Sequence, residues 1–204
     1  MDQYYDNFVA LENDIRNSNN LRKISSYFKN KEYVYVFVNQ IEILKKNLKS
    51  IKLLVQNGLF EDAMTIFRKY IETYLSMTVI IVHPKLVKEF LKHNMWIGQR
   101  ACNENMKEIR RIISSNVQGY LEYGYLASLE GVRNRNGAYT VRSLSIAANL
   151  TDYYELFRKS SNFVHNNLAS TTYSINEGIT SLDNWLKDTI VILETNISKI
   201  LDRC

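Results

Sequence analysis

An all-α fold is what this chain of 204 residues predicts, and three observations predict it. Apolar residues recur at alternating steps of three and four over long stretches, the spacing that lines one face of a helix of about 3.6 residues per turn. One proline and seven glycines leave few points where a helix must break. Stop and start residues fall where the periodic runs end: Asn57-Gly58, His83-Pro84, and Asp152 with Glu155 three positions later. The length suits one domain with a substantial core and is short for two. We expect a single-domain helical bundle over residues 1–204. Residues 1–30 form an N-terminal helical segment, 31–117 and 144–204 the bundle core, and 118–143 an irregular basic loop region, with about five to seven helices in all.

The elements follow in order. Tyr4, Phe8, Leu11 and Ile15 predict an N-terminal helix that Ser18-Asn19-Asn20 closes. The strongest period runs through Val34, Phe37, Ile41, Leu44, Leu48, Ile51 and Val55. Such a stripe packs inside its own domain or forms a coiled-coil seam, and in a short chain the first is the simpler reading. Lys45, Lys46, Lys49 and Lys52 lie off the stripe, as a solvated face or a surface for nucleic acid, and Asn57-Gly58 ends the helix. A second long helix, from about Phe60 to Val82, turns Ala63, Phe67, Ile71, Tyr74, Leu75 and Thr78 inward and makes an antiparallel hairpin with the first.

His83-Pro84 stops it, because the residue before a proline disfavours the helical conformation. Pro84 suits the first turn of a third helix through Leu86, Val87, Phe90 and Leu91, and Met106, Ile109, Ile112 and Ile113 mark a fourth, from about Glu104 to Val117. Gly119, Gly124, Gly131 and Gly137 then fall among tyrosines and arginines without a period, which predicts a short helix and a loop. Within it Arg133, Arg135 and Arg142 surround Asn136-Gly137 and Tyr139, either an exposed basic loop or a grip on an RNA backbone with Tyr139 stacked on a base. Asp152 reads as the N-cap of the next helix, with Glu155 completing a capping box. Leu182, Trp185, Leu186, Leu193, Ile197 and Ile200 mark the last, from about Ser181 to Leu201.

Composition narrows the function classes. Twenty-six basic against 21 acidic residues give a formal charge of +5, which permits an anionic partner without demanding one. Cys102 and Cys204 are too few for a disulfide framework and make no zinc spacing with the histidines; free thiols in a reducing cytosol account for them. Met1-Asp2-Gln3-Tyr4-Tyr5-Asp6 is acidic and polar where a signal peptide is basic and then apolar, and the apolar stretch Met77–Val82 is far short of a membrane span. A cytoplasmic protein without membrane attachment, cofactor or metal is the expectation. No phosphate-binding glycine loop, Gly-x-Ser-x-Gly elbow or cysteine nucleophile motif occurs.

The candidate chemistry lies on the helix that starts near Asp152. Arg158 and His165 are seven positions apart. Seven steps of about 100° bring them back to one face, roughly 10 Å apart along the axis. Cutting RNA without metal needs a group to take the 2′-hydroxyl proton, a group to protonate the leaving 5′-oxygen, and positive charge on the phosphorane. Histidine serves either proton role, and arginine neutralises the non-bridging oxygens. Ser161 and Tyr154 lie near the same stripe and can add hydrogen bonds. One helix supplies one histidine, so two copies facing each other in a homodimer would complete an acid and base pair. A lone histidine on an amphipathic helix is also a common structural residue; His83 and His93 read that way.

Arg158-x6-His165 resembles the arginine, four to six residues, histidine motif of the HEPN superfamily (higher eukaryotes and prokaryotes nucleotide-binding domain). That resemblance implies an all-helical, dimeric, metal-independent ribonuclease of a toxin–antitoxin or phage-defence system, with Arg158 and His165 catalytic. Active members usually carry Asn, Asp or His after the arginine, where this chain has Lys159.

A second resemblance covers roughly residues 50–170: Gly58 to Ala63, Phe67-Arg68-Lys69-Tyr70-Ile71-Glu72, Ser143 to Ala148, and Tyr154 through Ser161 to His165. These segments are similar to an uncharacterised bacterial helical family that pairs an Arg-x-x-x-Glu helix with a distal Tyr, Ser and His segment. The similarity implies that Arg68, Glu72, Ser161 and His165 form one polar cluster. Read from spacing alone, Arg68 and Glu72 are an i,i+4 ion pair or a buried contact that fixes helix register.

Two functions remain open at this point. One is an RNA-binding or metal-independent RNA-cleaving HEPN-like protein of a bacterial defence or toxin–antitoxin system, with RNA and a second copy as partners. The other is a non-catalytic helical module that binds a small anion or a protein, as an antitoxin or regulatory subunit does.

Overall fold

The computed structural model describes residues 2–29, 31–84, 141–164 and 175–203, and among these all regular structure is α-helical. In chain order the helices are α1 (Asp2–Arg16), α2 (Ser18–Phe28), α3 (Lys31–Gln56), α4 (Phe60–Val82), α5 (Val141–Ala147), α6 (Thr151–Val164) and α7 (Ile175–Asp202). The helices expected after Pro84 and from Glu104 to Val117, together with His93, Cys102, Cys204 and loop residues 118–140, lie outside the described residues.

The α3–α4 hairpin forms where the sequence places it. Gly58 adopts φ 74°, its N–H bonds the Val55 carbonyl at 3.0 Å, and the Leu59 N–H bonds the Leu54 carbonyl at 2.8 Å. This pair of bonds is the Schellman stop, which needs a left-handed residue and so favours glycine. α5 ends the same way with a non-glycine residue. Asn149 at φ 56° bonds Ile146, and the Leu150 N–H reaches back to Ser145 at 2.7 Å. Asparagine tolerates the left-handed region better than most side chains.

Helix α4 is the central element, buried continuously from Tyr74 to Ile81. α3 lies antiparallel to it and contributes Phe37, Ile41, Leu44, Leu48 and Ile51, all buried; the stripe serves this core. α7 runs parallel to α4: Gly178 meets Phe60, Trp185 stacks on Phe67 at 5.7 Å, and Thr189 meets Tyr70. At Gly178 a Cβ would stand 2.6 Å from Phe60 Cζ, so this glycine lets the two helices approach.

α1 and α2 pack against α3 and α7, and Tyr27 of α2 donates to the Ile81 carbonyl of α4 at 2.6 Å. Glu12, buried at 3% exposure, accepts a 2.9 Å hydrogen bond from Arg16 and pairs with Lys45 of α3. Burial pushes this carboxyl's pKa up, but the hydrogen bonds and charges of Lys45 and Arg16 outweigh it and hold the group below its ordinary value. Glu42 bonds Lys46 at 2.8 Å and Arg16 at 3.4 Å, and Lys52 sits over the Tyr5 ring at 5.2 Å. Of Lys45, Lys46, Lys49 and Lys52, two therefore engage α1, Lys46 pairs within α3, and Lys49 is on the exposed surface.

Four boundaries differ from the sequence reading. Ser18-Asn19-Asn20 opens α2 instead of closing α1: the chain breaks at Asn17, whose side-chain oxygen accepts from the Asn19 N–H at 3.0 Å as an N-cap. Residues 141–143 belong to α5 and not to the loop. α6 begins at Thr151, which puts Asp152 in the first turn, where its charge suits the helix dipole. α7 begins at Ile175, ahead of Ser181, because Gly178 serves packing against Phe60 and does not interrupt the helix.

Candidate functional site

α6 crosses α4 antiparallel, with Tyr153 against Tyr74 and Phe157 against Arg68. α6 reads as a helix because Tyr153, Leu156, Phe157 and Ser160 fall on its inward side, while Glu155, Arg158 and Lys159 are exposed. Ser160, fully buried, satisfies its hydroxyl by donating to the Phe157 carbonyl at 2.8 Å.

Tyr153 is the anchor. Its ring lies 5.4 Å from that of Tyr74, which stacks on Tyr70 at 6.4 Å. Burial, with the charges of Asp188 and Asp152, pushes the Tyr153 hydroxyl pKa up to about 12. Burial also raises the Tyr70 and Tyr74 hydroxyls well above the ordinary tyrosine value. All three stay protonated at neutral pH.

Outward from that anchor, three of the sequence candidates, Arg68, Tyr154 and Ser161, meet Phe157. The Arg68 guanidinium lies over its ring, 4.7 Å from Cζ to the centroid. The Tyr154 ring runs nearly parallel to it, 16° off, with centroids 6.5 Å apart. Ser161 donates its hydroxyl to the Phe157 carbonyl at 2.8 Å, so its oxygen remains free only to accept. Arg158 is the next residue along, with its side chain 62% exposed and Nη1 3.2 Å from Glu155 Oε2. Surface pairs of this kind are worth roughly 0–1 kcal/mol and open easily.

Arg68 and Glu72 do not pair with each other among the described residues. The Arg68 guanidinium carbon lies over the Phe157 ring, whereas Glu72 is exposed, one turn further along α4 toward the level of Tyr154. The ion-pair reading of these two residues is thereby corrected: the helix order Arg before Glu is the weaker one, and an aromatic surface on α6 competes for the cation.

His165, Arg133, Arg135 and Tyr139 lie outside the described residues; Arg142 is exposed on α5. His83 closes α4, its Nε2 3.1 Å from the Ala147 carbonyl at the end of α5, a structural contact. Phe157 is the residue sequence reasoning missed, since an aromatic on the inner side of an amphipathic helix reads as core. Among the described residues no three His, Cys, Asp or Glu side chains gather as a metal site requires, and no helix is long and apolar enough to cross a membrane.

The geometry defines an all-helical protein with a cationic and aromatic face on its α4–α6 pair. The chain belongs to a family of unknown function, DUF5677, whose model matches residues 34–180. That span holds both the Arg68–Glu72 helix and the Tyr154 to His165 segment, and leaves α1, α2 and most of α7 outside it. No curated protein and no solved structure gives a significant match.

Proposed function

We propose that this protein binds RNA and cleaves it without a metal ion, in the manner of the HEPN ribonucleases its Arg158-x6-His165 spacing resembles. The observation that carries the reading is the setting of Arg158: exposed, paired among the described residues with Glu155 alone, and adjacent in the chain to Phe157, which meets Arg68 and Tyr154. One cation laid against half-buried aromatic rings and a second exposed on the same helix pair suit a phosphate backbone with unstacked bases.

In the reaction, His165 takes the proton of a 2′-hydroxyl, whose oxygen bonds to the adjacent phosphorus. The bond from phosphorus to the 5′-oxygen breaks, and that oxygen takes a proton from the His165 of a second copy. The products are a 2′,3′-cyclic phosphate and a 5′-hydroxyl. Arg158 neutralises the phosphorane as charge builds, and Arg68, Glu72, Tyr154 and Ser161 support the substrate. The homodimer, and a setting in bacterial defence or toxin–antitoxin systems with a protein antitoxin as partner, follow from the HEPN resemblance.

A second reading rests on the Arg158–Glu155 ion pair and on Lys159: a non-catalytic module that binds an anion or a protein through the same face. One experiment separates the two. Wild type, Arg158→Ala and His165→Ala are incubated with labelled RNA in EDTA, and product ends are identified. Cleavage by wild type alone, with cyclic phosphate ends, supports the nuclease; no cleavage by a folded wild type gives the module.

A further inference from the structure

The Phe157 cluster answers a question that Arg158 and His165 leave open, namely which form of RNA the face accepts. An arginine on a helix surface is long and rotatable, and loses rotamer freedom when fixed. Arg68 Cζ lies over the Phe157 ring, a cation–π contact that restrains a group carrying several N–H donors. Among the described residues no carboxylate takes those donors. Tyr154, also half-buried, runs nearly parallel to Phe157 and keeps part of its surface open to solvent.

We infer, on the reading just proposed, that this face takes single-stranded RNA: a base stacks on Tyr154, Arg68 and Arg158 hold backbone phosphates, and Phe157 is the positioning residue for Arg68. A duplex keeps its base faces stacked inside the helix and cannot offer one to a tyrosine, so the aromatic part of the cluster selects against it.

The test uses a short labelled 2′-O-methyl oligonucleotide, which keeps bases and phosphates but has no 2′-hydroxyl to attack, alone and as a duplex. Fluorescence anisotropy over a salt series gives affinity and its salt slope. Wild type binds the single strand more tightly than the duplex. Tyr154→Leu weakens single-strand binding about tenfold with the slope unchanged, because stacking is not ionic. Arg68→Gln lowers the slope by about 0.7, the share of one phosphate contact on a single strand. Phe157→Leu weakens binding about fivefold and Phe157→Trp restores it, since a larger ring still holds the guanidinium.

Equal affinity for duplex and single strand, an unchanged slope in Arg68→Gln, or wild-type binding by a folded Phe157→Leu each overturns the inference. If Phe157→Leu does not fold, Arg68→Gln and Phe157→Trp still decide. Failure here is distinct from failure of the nuclease. RNA cut in EDTA without binding of the 2′-O-methyl strand sinks the single-strand face alone, while binding through these residues without cleavage sinks the chemistry alone.

Discussion

Tyr70 and Tyr74 sit one turn apart on α4, both fully buried, with rings 3° from parallel, yet removing their hydroxyls should have opposite effects. Tyr70 Oη lies 2.9 Å from Thr189 Oγ1. Thr189 already gives its one hydrogen to the Leu186 carbonyl at 2.7 Å, so Tyr70 must be the donor. Tyr70→Phe removes that bond but leaves Thr189 its own, which predicts a loss of about 1 kcal/mol. Tyr74 Oη has no hydrogen-bond partner of full geometry among the described residues; the neighbouring Thr78 hydroxyl donates to the Tyr74 carbonyl at 3.0 Å and offers the ring hydroxyl only a poorly aligned acceptor. A buried hydroxyl left unpaired costs roughly 1–3 kcal/mol, so Tyr74→Phe should be neutral or stabilise by up to about 1 kcal/mol. In a chain of this size each kcal/mol moves Tm by about 2–4 °C, well within the resolution of urea and thermal melts followed by far-ultraviolet circular dichroism. A Tyr74→Phe variant that loses as much as Tyr70→Phe would refute the reasoning, and so would a neutral Tyr70→Phe.

Other expectations rest on separate features. Gly178→Ala gains about 1 kcal/mol of helix propensity but drives a Cβ into Phe60; overpacking of roughly 1–3 kcal/mol wins, and Phe60→Leu in the same chain restores stability in a thermal melt. Gly58→Ala forces a side chain into a left-handed residue and costs about 1–2 kcal/mol by urea titration, whereas Asn149→Gly, at φ 56°, should not destabilise. The lowered pKa of Glu12 makes its contribution complete above pH 4.5 and lost as pH falls through the folded-state value; in Glu12→Gln an acid melt should show a correspondingly shallower decline. Tyr153 works at the other end. Its raised pKa contributes stability that is present below pH 10.0 and lost as pH rises toward about 12, so Tyr153→Phe should flatten the alkaline limb.

The helices were legible because each buries one stripe, and a stripe is a local pattern. Val34 to Val55 reads as a helix from spacing, and Asn57-Gly58 reads as its stop because glycine at a left-handed position is the commonest ending. The asparagine stop at Asn149 was not legible, since asparagine also serves caps and loops. Asn17 shows the same ambiguity from the other side: the polar run Ser18-Asn19-Asn20 resembles a terminator, and only the Asn17 to Asn19 bond reveals a start. The contact of Arg68 with Phe157 was beyond reach for another reason. The two residues lie on helices far apart in the chain, and nothing in either segment encodes the antiparallel crossing that joins them.

That crossing ties the candidate site to the core. Consecutive residues of α6 face different surroundings, because a step of about 100° takes Tyr153 into the Tyr70–Tyr74 stack and leaves Tyr154 at the edge with Phe157 and Arg68. The same tyrosines that hold α6 down therefore set the height of the face above α4. Arg158 stands apart from this arrangement: its exposed guanidinium touches Glu155 of its own helix and reports only where α6 points. A substitution in the tyrosine stack should thus shift Arg68 relative to Phe157 before it disturbs Arg158. The two arginines are then separable, one set by tertiary packing and the other by local helix geometry, and that separation lets their roles in binding be measured independently.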